Sequence, residues 1–408
     1  MGDGVIFSFE PSSSTYTKLK DFDLSNGASQ AHWPQVQHSG SFNTWQLRTL
    51  DAIKRCRTAS LGGHVDGCTS CGHVQISFNS CRNQHCPKCQ GTAREHWIQA
   101  RQEQLLPVPC FHVVFTLPDA LNQLCLYKPK ILYDLLFKTT WSVLNSFGHD
   151  PKWLGAQTGM ISILHTWGQT MTLHPHLHCI VPGGGLTKQD NWKMAKSDGK
   201  YLFNVKAMGK TFRGRFIASL KEQLGEAMTK ELVNNLYKHK WVVYAKRPFT
   251  GPNSVVEYLG RYTHKIAISN HRITNHDAGK VSFSYKDYKQ RSVKKEMTLD
   301  SLEFIRRYSL HILPKGFVRI RHYGICSSTS KQKSALVIKA QLPVALQLSP
   351  ATITEATAVP YNPKQCPCCK KETMETVMRF NQRGPPGDWK QLAKDLLDCT
   401  TLKCAVTG

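Results

Sequence analysis

The residues best suited to chemistry in this chain are histidines spaced two apart. His174-Pro175-His176-Leu177-His178 lies inside an apolar stretch, 173–181. Alternate side chains of a strand point to one side, so His176 and His178 share a face and can chelate one metal ion. Two ligands are too few for a catalytic centre. His165, eleven residues before His176, falls on what reads as the preceding strand of a hairpin and is the favoured third ligand. Gln169, His174 and Glu257 are its rivals. Tyr258 and Tyr262 stand four apart, so on a helix both hydroxyls point the same way. By themselves such tyrosines are packing residues more often than nucleophiles. Here Arg261, His264 and Lys265 flank them and Gly260 lets a backbone come close. A metal beside two parallel phenols points to phosphoryl transfer through a covalent tyrosine intermediate. Histidine ligands plus a phosphate oxygen suit Mg2+ or Mn2+ acting as a Lewis acid, although zinc also fits three imidazoles.

The cysteines carry a second signal. Cys68 and Cys71 form one Cys-x-x-Cys pair, and Cys86 and Cys89 form another fourteen residues on. That spacing predicts one structural Zn2+ held by these four thiolates. Of the neighbours, Cys56, His64, Cys81 and His85 are candidates for a second zinc, with His73 also nearby. The segment is poor in large apolar residues, so metal would supply much of its folding energy. A closed four-ligand ion has no open position, so the expected role is gripping DNA rather than chemistry. Cys366-Pro367-Cys368-Cys369 gives one more pair, with Cys399 and Cys404 as candidate partners. A frayed end is the reading favoured there.

Charge identifies the partner. Across 408 residues, 53 Lys and Arg face 28 Asp and Glu, a net +25. Nucleic acid is the polyanion that fits, and no basic amphipathic helix argues for an anionic membrane. No apolar run of about 18 residues predicts a span, and the first 30 residues do not read as a secretory signal. The expected location is therefore cytoplasmic, with no membrane partner. Basic stretches that can follow a phosphate track include Arg319 and Arg321, alternating with Val318 and Ile320, although a half-buried strand gives the same pattern. Lys206, Lys210, Arg213 and Arg215 form another. Lys286, Lys289, Arg291, Lys294 and Lys295 interleave with Tyr285 and Tyr288, a mixture suited to single strands whose bases stack on aromatics.

The elements that must position these groups follow from the pattern. Residues 42–55 read as a helix with Trp45, Leu50 and Ile53 on one side. Strands are expected at 110–117, 160–167, 173–181, 241–246 and 266–269. The second and third of these are joined by a tight turn at Gly168. Helices are expected at 128–147 and 252–265, with a basic helical insertion at 206–238. A hairpin is expected around Asp277, Ala278 and Gly279, and a helix capped by Thr298 over 298–313. This order predicts an α+β fold in which an antiparallel sheet carries helices on one face. The domain reading is a flexible lead-in (1–40), a zinc-binding DNA-contact domain (41–105), a core (106–270), a basic DNA-binding extension (271–339), and a linker with a Cys-bearing tail (340–408).

Four segments, CRNQHCPKCQ (81–90), HTWGQTMTLHPHLHCIVPGGG (165–185), EYLGRYTHKIAISN (257–270) and GFVRIRHYG (316–324), run in an order that resembles the HUH nucleases, named for His–hydrophobic–His. More narrowly they resemble the two-tyrosine rolling-circle transposases of the insertion-sequence 91 family. The resemblance implies an N-terminal zinc domain and a ferredoxin-like HUH core. It also implies cleavage of single-stranded DNA at transposon ends and strand transfer into target DNA, in a bacterial cytoplasm at the nucleoid. It carries the metal role to His176 and His178 and the nucleophile role to Tyr258 and Tyr262. Arg261, Lys265, Arg319 and Arg321 are the expected DNA contacts. The alternatives are an HUH replication initiator or conjugative relaxase, a histidine-triad nucleotide hydrolase, and a non-catalytic zinc-bearing DNA-binding protein.

Overall fold

The computed structural model describes residues 6–9, 16–19, 33–38, 40–90, 106, 108–196, 201–249, 266–342 and 362–405. Tyr258, Tyr262, Arg261, Lys265 and Glu257, with the helix expected at 252–265, lie outside the described residues.

The expected first helix forms as α1 (Thr44–Lys54). Asn43 caps it, accepting the Gln46 N–H while the Gln46 side chain bonds back to the Asn43 N–H. A hairpin follows, β1 (Gly63–Cys68) and β2 (Val74–Phe78). The chain then builds a five-stranded sheet from β3 (Cys110–Thr116), β4 (Gly159–Trp167), β5 (Leu173–Pro182), β6 (Val243–Phe249) and β10 (Ile320–Gly324). Its order is β6–β3–β5–β4–β10 and every neighbour is antiparallel. These strands are rich in Val, Ile, Phe and Leu, which suit a pleated surface buried on both sides.

Helices α2 (Pro129–His149) and α3 (Val205–Leu224) cover one face. Pro129 stands in the first turn of α2, where its missing N–H costs nothing. Asn204 caps α3 by accepting the Ala207 N–H at 3.0 Å. Phe111, Val113, Phe115, Leu164, Leu177, Cys179 and Val181 supply the sheet side of this core. Phe115 meets Phe212 of α3 edge-on at 5.1 Å, and Phe212 meets Trp241 at 5.3 Å. Each such ring, fully buried, contributes about 1.5–3 kcal/mol. α4 (Lys230–Lys238) completes the helical insertion.

Alternation leaves His112, Ile163, His165, His176, His178 and Ile180 for the opposite face. Ile163 and Ile180 there pack with Ile338 of α6 (Lys331–Gln341). The histidines lie nearer the β4–β5 turn. That turn closes as expected, with the Gly168 N–H donating to the Thr172 carbonyl at 2.9 Å.

Beyond the sheet, β7 (Ile273–Asp277), β8 (Lys280–Asp287) and β9 (Val293–Asp300) make a three-stranded meander. Ala278 and Gly279 are both left-handed (φ 47 and 75), the geometry of a tight hairpin turn. α5 (Ser301–Ser309) follows. β11 (Met374–Phe380) and α7 (Trp389–Ala405) form the last unit. β11 pairs with β1, giving the sheet order β11–β1–β2.

Several expectations are corrected. Residues 266–269 form no strand, although Ile266, Ala267 and Ile268 are buried. The fifth strand of the sheet is β10 instead, drawn from the segment read as a phosphate track. Gly324 ends it at φ 57, where a Cβ would strike the Thr158 carbonyl, so the closing glycine of GFVRIRHYG is sterically required. Thr298 sits in β9 rather than capping a helix, and its hydroxyl lies 2.7 Å from that of Ser282. A short hairpin, Ile6–Phe9 with Tyr16–Leu19, stands in the segment read as structureless. The tail is a strand and a helix rather than a frayed end. No helix among the described residues is long and apolar enough to cross a membrane.

Candidate active site and metal centres

Register brings the histidines together. His165 on β4 pairs directly with His176 on β5, and Ile163 pairs with His178. The three rings converge, with centroids 4.6 Å apart for His165 and His178, 4.8 Å for His176 and His178, and 5.5 Å for His165 and His176. Their donor nitrogens all lie within 4.8 Å of one another. His176 Nε2 and His178 Nε2 are 3.1 Å apart. Two ligands at about 2.1 Å from one ion and at right angles stand about 3.0 Å apart, so this spacing fits a shared divalent cation.

Outer groups set the tautomers such an ion needs. His176 Nδ1–H donates to the His174 carbonyl at 2.7 Å, which leaves Nε2 as a lone pair. His178 Nδ1 lies 2.8 Å from His112 Nε2, and the two rings stack at 5.1 Å. For His178 Nε2 to ligate, His178 Nδ1–H must donate and His112 must accept. Burial, with the charge of Lys246 adding to it, holds the His112 imidazole at about 4, so it stays neutral at ordinary pH and as the Nδ1–H tautomer can accept through Nε2. His112 escaped sequence reasoning. Its only signal was a polar residue in an otherwise apolar strand, and nothing local ties it to His178. His165 stacks on Trp167 at 4.5 Å, which fixes its ring.

Of the rival ligands, Gln169 and His174 are used elsewhere. The Gln169 amide donates to the Tyr288 hydroxyl at 3.3 Å and its Oε1 accepts the Lys286 N–H at 3.4 Å. His174 is exposed, and its carbonyl rather than its ring serves His176. The Gln169 contacts dock the β8–β9 tip on the turn beside the histidines. Tyr288 at that tip is 68% exposed, with Lys286, Arg291 and Lys294 exposed around it. Lys295 pairs with Asp287 at 2.9 Å.

The cysteines group differently from expectation. Cys68 and Cys71 do not join Cys86 and Cys89. Cys86 and Cys89 meet Cys56 and Cys81 instead, with Cys56–Cys89 and Cys81–Cys89 sulfur separations of 3.6 and 3.7 Å. Tetrahedral Zn–S bonds of about 2.3 Å give edges of about 3.8 Å, so this quartet fits Zn2+. Cys68 and Cys71 lie against Cys366 and Cys369 of the tail. His64 and His85 belong to neither cluster. His64 faces Asp66 at 3.3 Å on β1. His85 is buried, its Nε2 accepting the Leu313 N–H at 3.3 Å and its carbonyl accepting the Tyr308 hydroxyl. It fastens the zinc-bearing segment to α5. The Cys56 quartet thus shares a core with Trp167, the residue that orients His165.

The arginines of GFVRIRHYG are held by packing. Arg321 pairs with Asp134 and lies 4.2 Å over the Phe137 ring. Arg319 is 7% exposed, 5.8 Å from the Trp167 ring, and burial lowers it to about 10. This placement corrects the phosphate-track reading in favour of a half-buried strand.

Residues 28–117 match the family model described as "Transposase zinc-binding domain", and residues 159–334 match the one described as "Putative transposase". The chain is 39% identical over 381 residues to the "Putative transposase y4qJ" of Sinorhizobium fredii, covering 87% of this chain and 94% of that protein. It is 28% identical over 307 residues to the "Transposase for insertion sequence element IS801" of Pseudomonas savastanoi pv. phaseolicola, covering 72% of this chain and 74% of that protein. No solved structure matches the chain.

Proposed function

The chain belongs to the insertion-sequence 91 family of transposases, and from that premise we propose that it cuts and rejoins single-stranded DNA by tyrosine attack beside the three-histidine cluster. The convergence of His165, His176 and His178 on one point supports this reading most strongly. A transposase acts on DNA, and the family's work is cleavage and strand transfer. The finer assignment is that the five-stranded sheet is an HUH-type core and that Tyr258 and Tyr262 are its nucleophiles.

In the proposed step the Tyr258 or Tyr262 oxygen bonds to a backbone phosphorus and the bond from phosphorus to the 3′ oxygen breaks. The phenol proton passes to solvent or a nearby base, the departing 3′ oxygen takes up a proton from the same source, and the released strand carries a 3′ hydroxyl. The 5′ phosphate stays on the tyrosine as an ester, so the bond energy is kept and a later 3′ hydroxyl reverses the reaction. A divalent ion, Mg2+ or Mn2+, would polarise the scissile phosphate when bound by the three imidazoles. His174 and His112 hold His176 and His178 in the tautomers that present Nε2. Trp167 holds His165 in plane. Two tyrosines allow one to keep the first end while the other cuts again. Cys56, Cys81, Cys86 and Cys89 would hold Zn2+ with all four thiolates, a closed set that would serve structure and DNA grip rather than chemistry. The exposed Tyr288 with its cations suits an unpaired strand entering past the β4–β5 turn.

Incubation with single-stranded transposon-end DNA and Mn2+ is expected to give a denaturation-resistant protein–DNA adduct through the 5′ phosphate at the nick. The Tyr258→Phe, Tyr262→Phe double variant is expected to give none. An adduct that survives in the double variant, or its absence from the wild type with every end sequence, overturns the mechanism.

A further inference from the structure

The chain holds a second four-cysteine centre whose halves are far apart in sequence. Cys68-Thr69-Ser70-Cys71-Gly72 begins at the end of β1, and Cys366-Pro367-Cys368-Cys369-Lys370 precedes β11. The two turns fold alike. In the first, the Gly72 N–H donates to the Cys68 carbonyl at 3.0 Å and the Cys68 N–H to the His73 carbonyl at 2.8 Å. In the second, the Lys370 N–H donates to the Cys366 carbonyl at 3.0 Å and the Cys366 N–H to the Lys371 carbonyl at 2.8 Å. The residue after the second cysteine is left-handed in both, Gly72 at φ 68 and Lys370 at φ 64. Lysine enters that region only at a cost, so a demand beyond local preference shapes the second turn like the first.

The demand is visible in the sulfurs. Cys68 Sγ is 3.7 Å from Cys369 Sγ, and Cys71 Sγ is 3.7 Å from Cys366 Sγ. All four lie within 4.8 Å of one another. A disulfide needs about 2.05 Å, whereas the edge of a zinc tetrathiolate is about 3.8 Å. The Cys368 N–H donates to Cys366 Sγ at 3.4 Å, and the Thr373 hydroxyl lies 3.0 Å from Cys68 Sγ, both fit to stabilise thiolate. The apolar cluster here is small, Cys68, Cys366 and Met374 with Cys369 against it, so packing alone gives little cohesion. Cys366 and Cys369 also lie beyond the residues matched to either transposase domain.

We infer that Cys68, Cys71, Cys366 and Cys369 bind one structural Zn2+ as facing knuckles, clamping the tail onto the β1–β2 hairpin. The four thiols give up their protons as the ion binds. Around it β11 pairs with β1 from Cys68 to Gly63, and the Phe380 ring meets that of Phe78 edge-on at 6.0 Å. Gly67 is free of a side chain where Leu397 of α7 packs; a Cβ there would come within 2.6 Å. The tail is thereby part of the N-terminal zinc unit.

Metal analysis of the full chain distinguishes a shared ion from separate ones. The Cys366→Ser, Cys369→Ser variant is expected to hold one zinc fewer than wild type. The Cys68→Ser, Cys71→Ser variant is expected to lose the same single ion, and the quadruple variant no more than one. An unchanged zinc content in either pair, or loss of two ions in the quadruple variant, overturns the inference. A measurement on wild type guards against misfolded variants. Cys71 and Cys368 are both exposed, but only Cys71 would be metal-bound. Alkylation followed by mass spectrometry is expected to modify Cys368 at once and Cys71 only after chelation. Equal rates at the two thiols, before chelation, overturn the site.

Discussion

Replacing His112 tests the three-histidine centre without touching a ligand. His112 is 4% exposed and its Nε2 lies 2.8 Å from His178 Nδ1. Leucine there keeps most of the volume but removes the acceptor. The His178 Nδ1–H then has a buried proton with nowhere to go, a penalty of about 1–3 kcal/mol. His178 can escape by moving the proton to Nε2, but that fills the lone pair facing the ion. Either route weakens metal binding, and partners of this kind are worth roughly 10–100-fold in affinity. The expected result is a 10–100-fold weaker Mn2+ titration by calorimetry, with the adduct yield falling at sub-saturating Mn2+ and recovering at excess. His112→Gln, whose amide oxygen can accept, should recover part of the loss. An affinity within twofold of wild type in His112→Leu, in a folded protein, would show that His112 does not set the His178 tautomer.

Three further outcomes follow from the geometry. Tyr288→Ala should weaken binding of an unstructured single strand by about 1–3 kcal/mol, as expected for one lost stacked base, and leave duplex binding unchanged; equal losses on both, measured by anisotropy, would exclude stacking. Arg321→Met should destabilise the fold by about 1–2 kcal/mol through loss of the Asp134 pair and the Phe137 contact, with no change in the salt dependence of DNA affinity; a shallower salt slope would instead make Arg321 a phosphate ligand. His311 donates through Nε2 to the Met171 carbonyl at 3.0 Å and accepts the Thr166 hydroxyl at 3.1 Å, and burial lowers it to about 4. Its folded value lies below the ordinary 6.5, so the unfolded chain takes the proton first on acidification. Stability is therefore full above about pH 6.5 and falls toward pH 4; urea midpoints across that range should flatten in His311→Gln, and an unaltered slope would assign the effect to other groups.

Local patterns carried much of the architecture. The apolar runs at β3, β4 and β5, the turn at Gly168, the helical insertion and the Ala278–Gly279 hairpin are each set by neighbours in sequence. The same holds for His165, His176 and His178, because hairpin register follows from the turn. What stayed hidden depends on distant segments. Cys68 and Cys71 were paired with Cys86 and Cys89 because spacing favoured it, yet each pair found a partner that spacing cannot indicate. Cys56 and Cys81 are single cysteines with no motif of their own, and Cys366 and Cys369 stand some 300 residues away. His85 looked like a ligand by composition, but its work is a backbone bond to Leu313. Alternation of Arg319 and Arg321 with apolar residues had two readings, and the aromatic neighbours that chose between them, Trp167 and Phe137, come from other elements.

The pairing of β1 with β11 has a consequence in time. Asp66 and Thr376, hydrogen-bonded across it at 2.8 Å, are 310 residues apart. At a synthesis rate of about 5–20 residues per second, β1 waits roughly 15–60 s for its partner. During that interval one edge of the β1–β2 hairpin is bare, with two thiols beside it, while the core behind it can already fold. The β11–β1–β2 sheet is thus completed only after those 310 further residues have been made. A chain interrupted after α6 would carry the histidine centre but an unfinished β11–β1–β2 sheet, so completion of that sheet reports that β11 has been made.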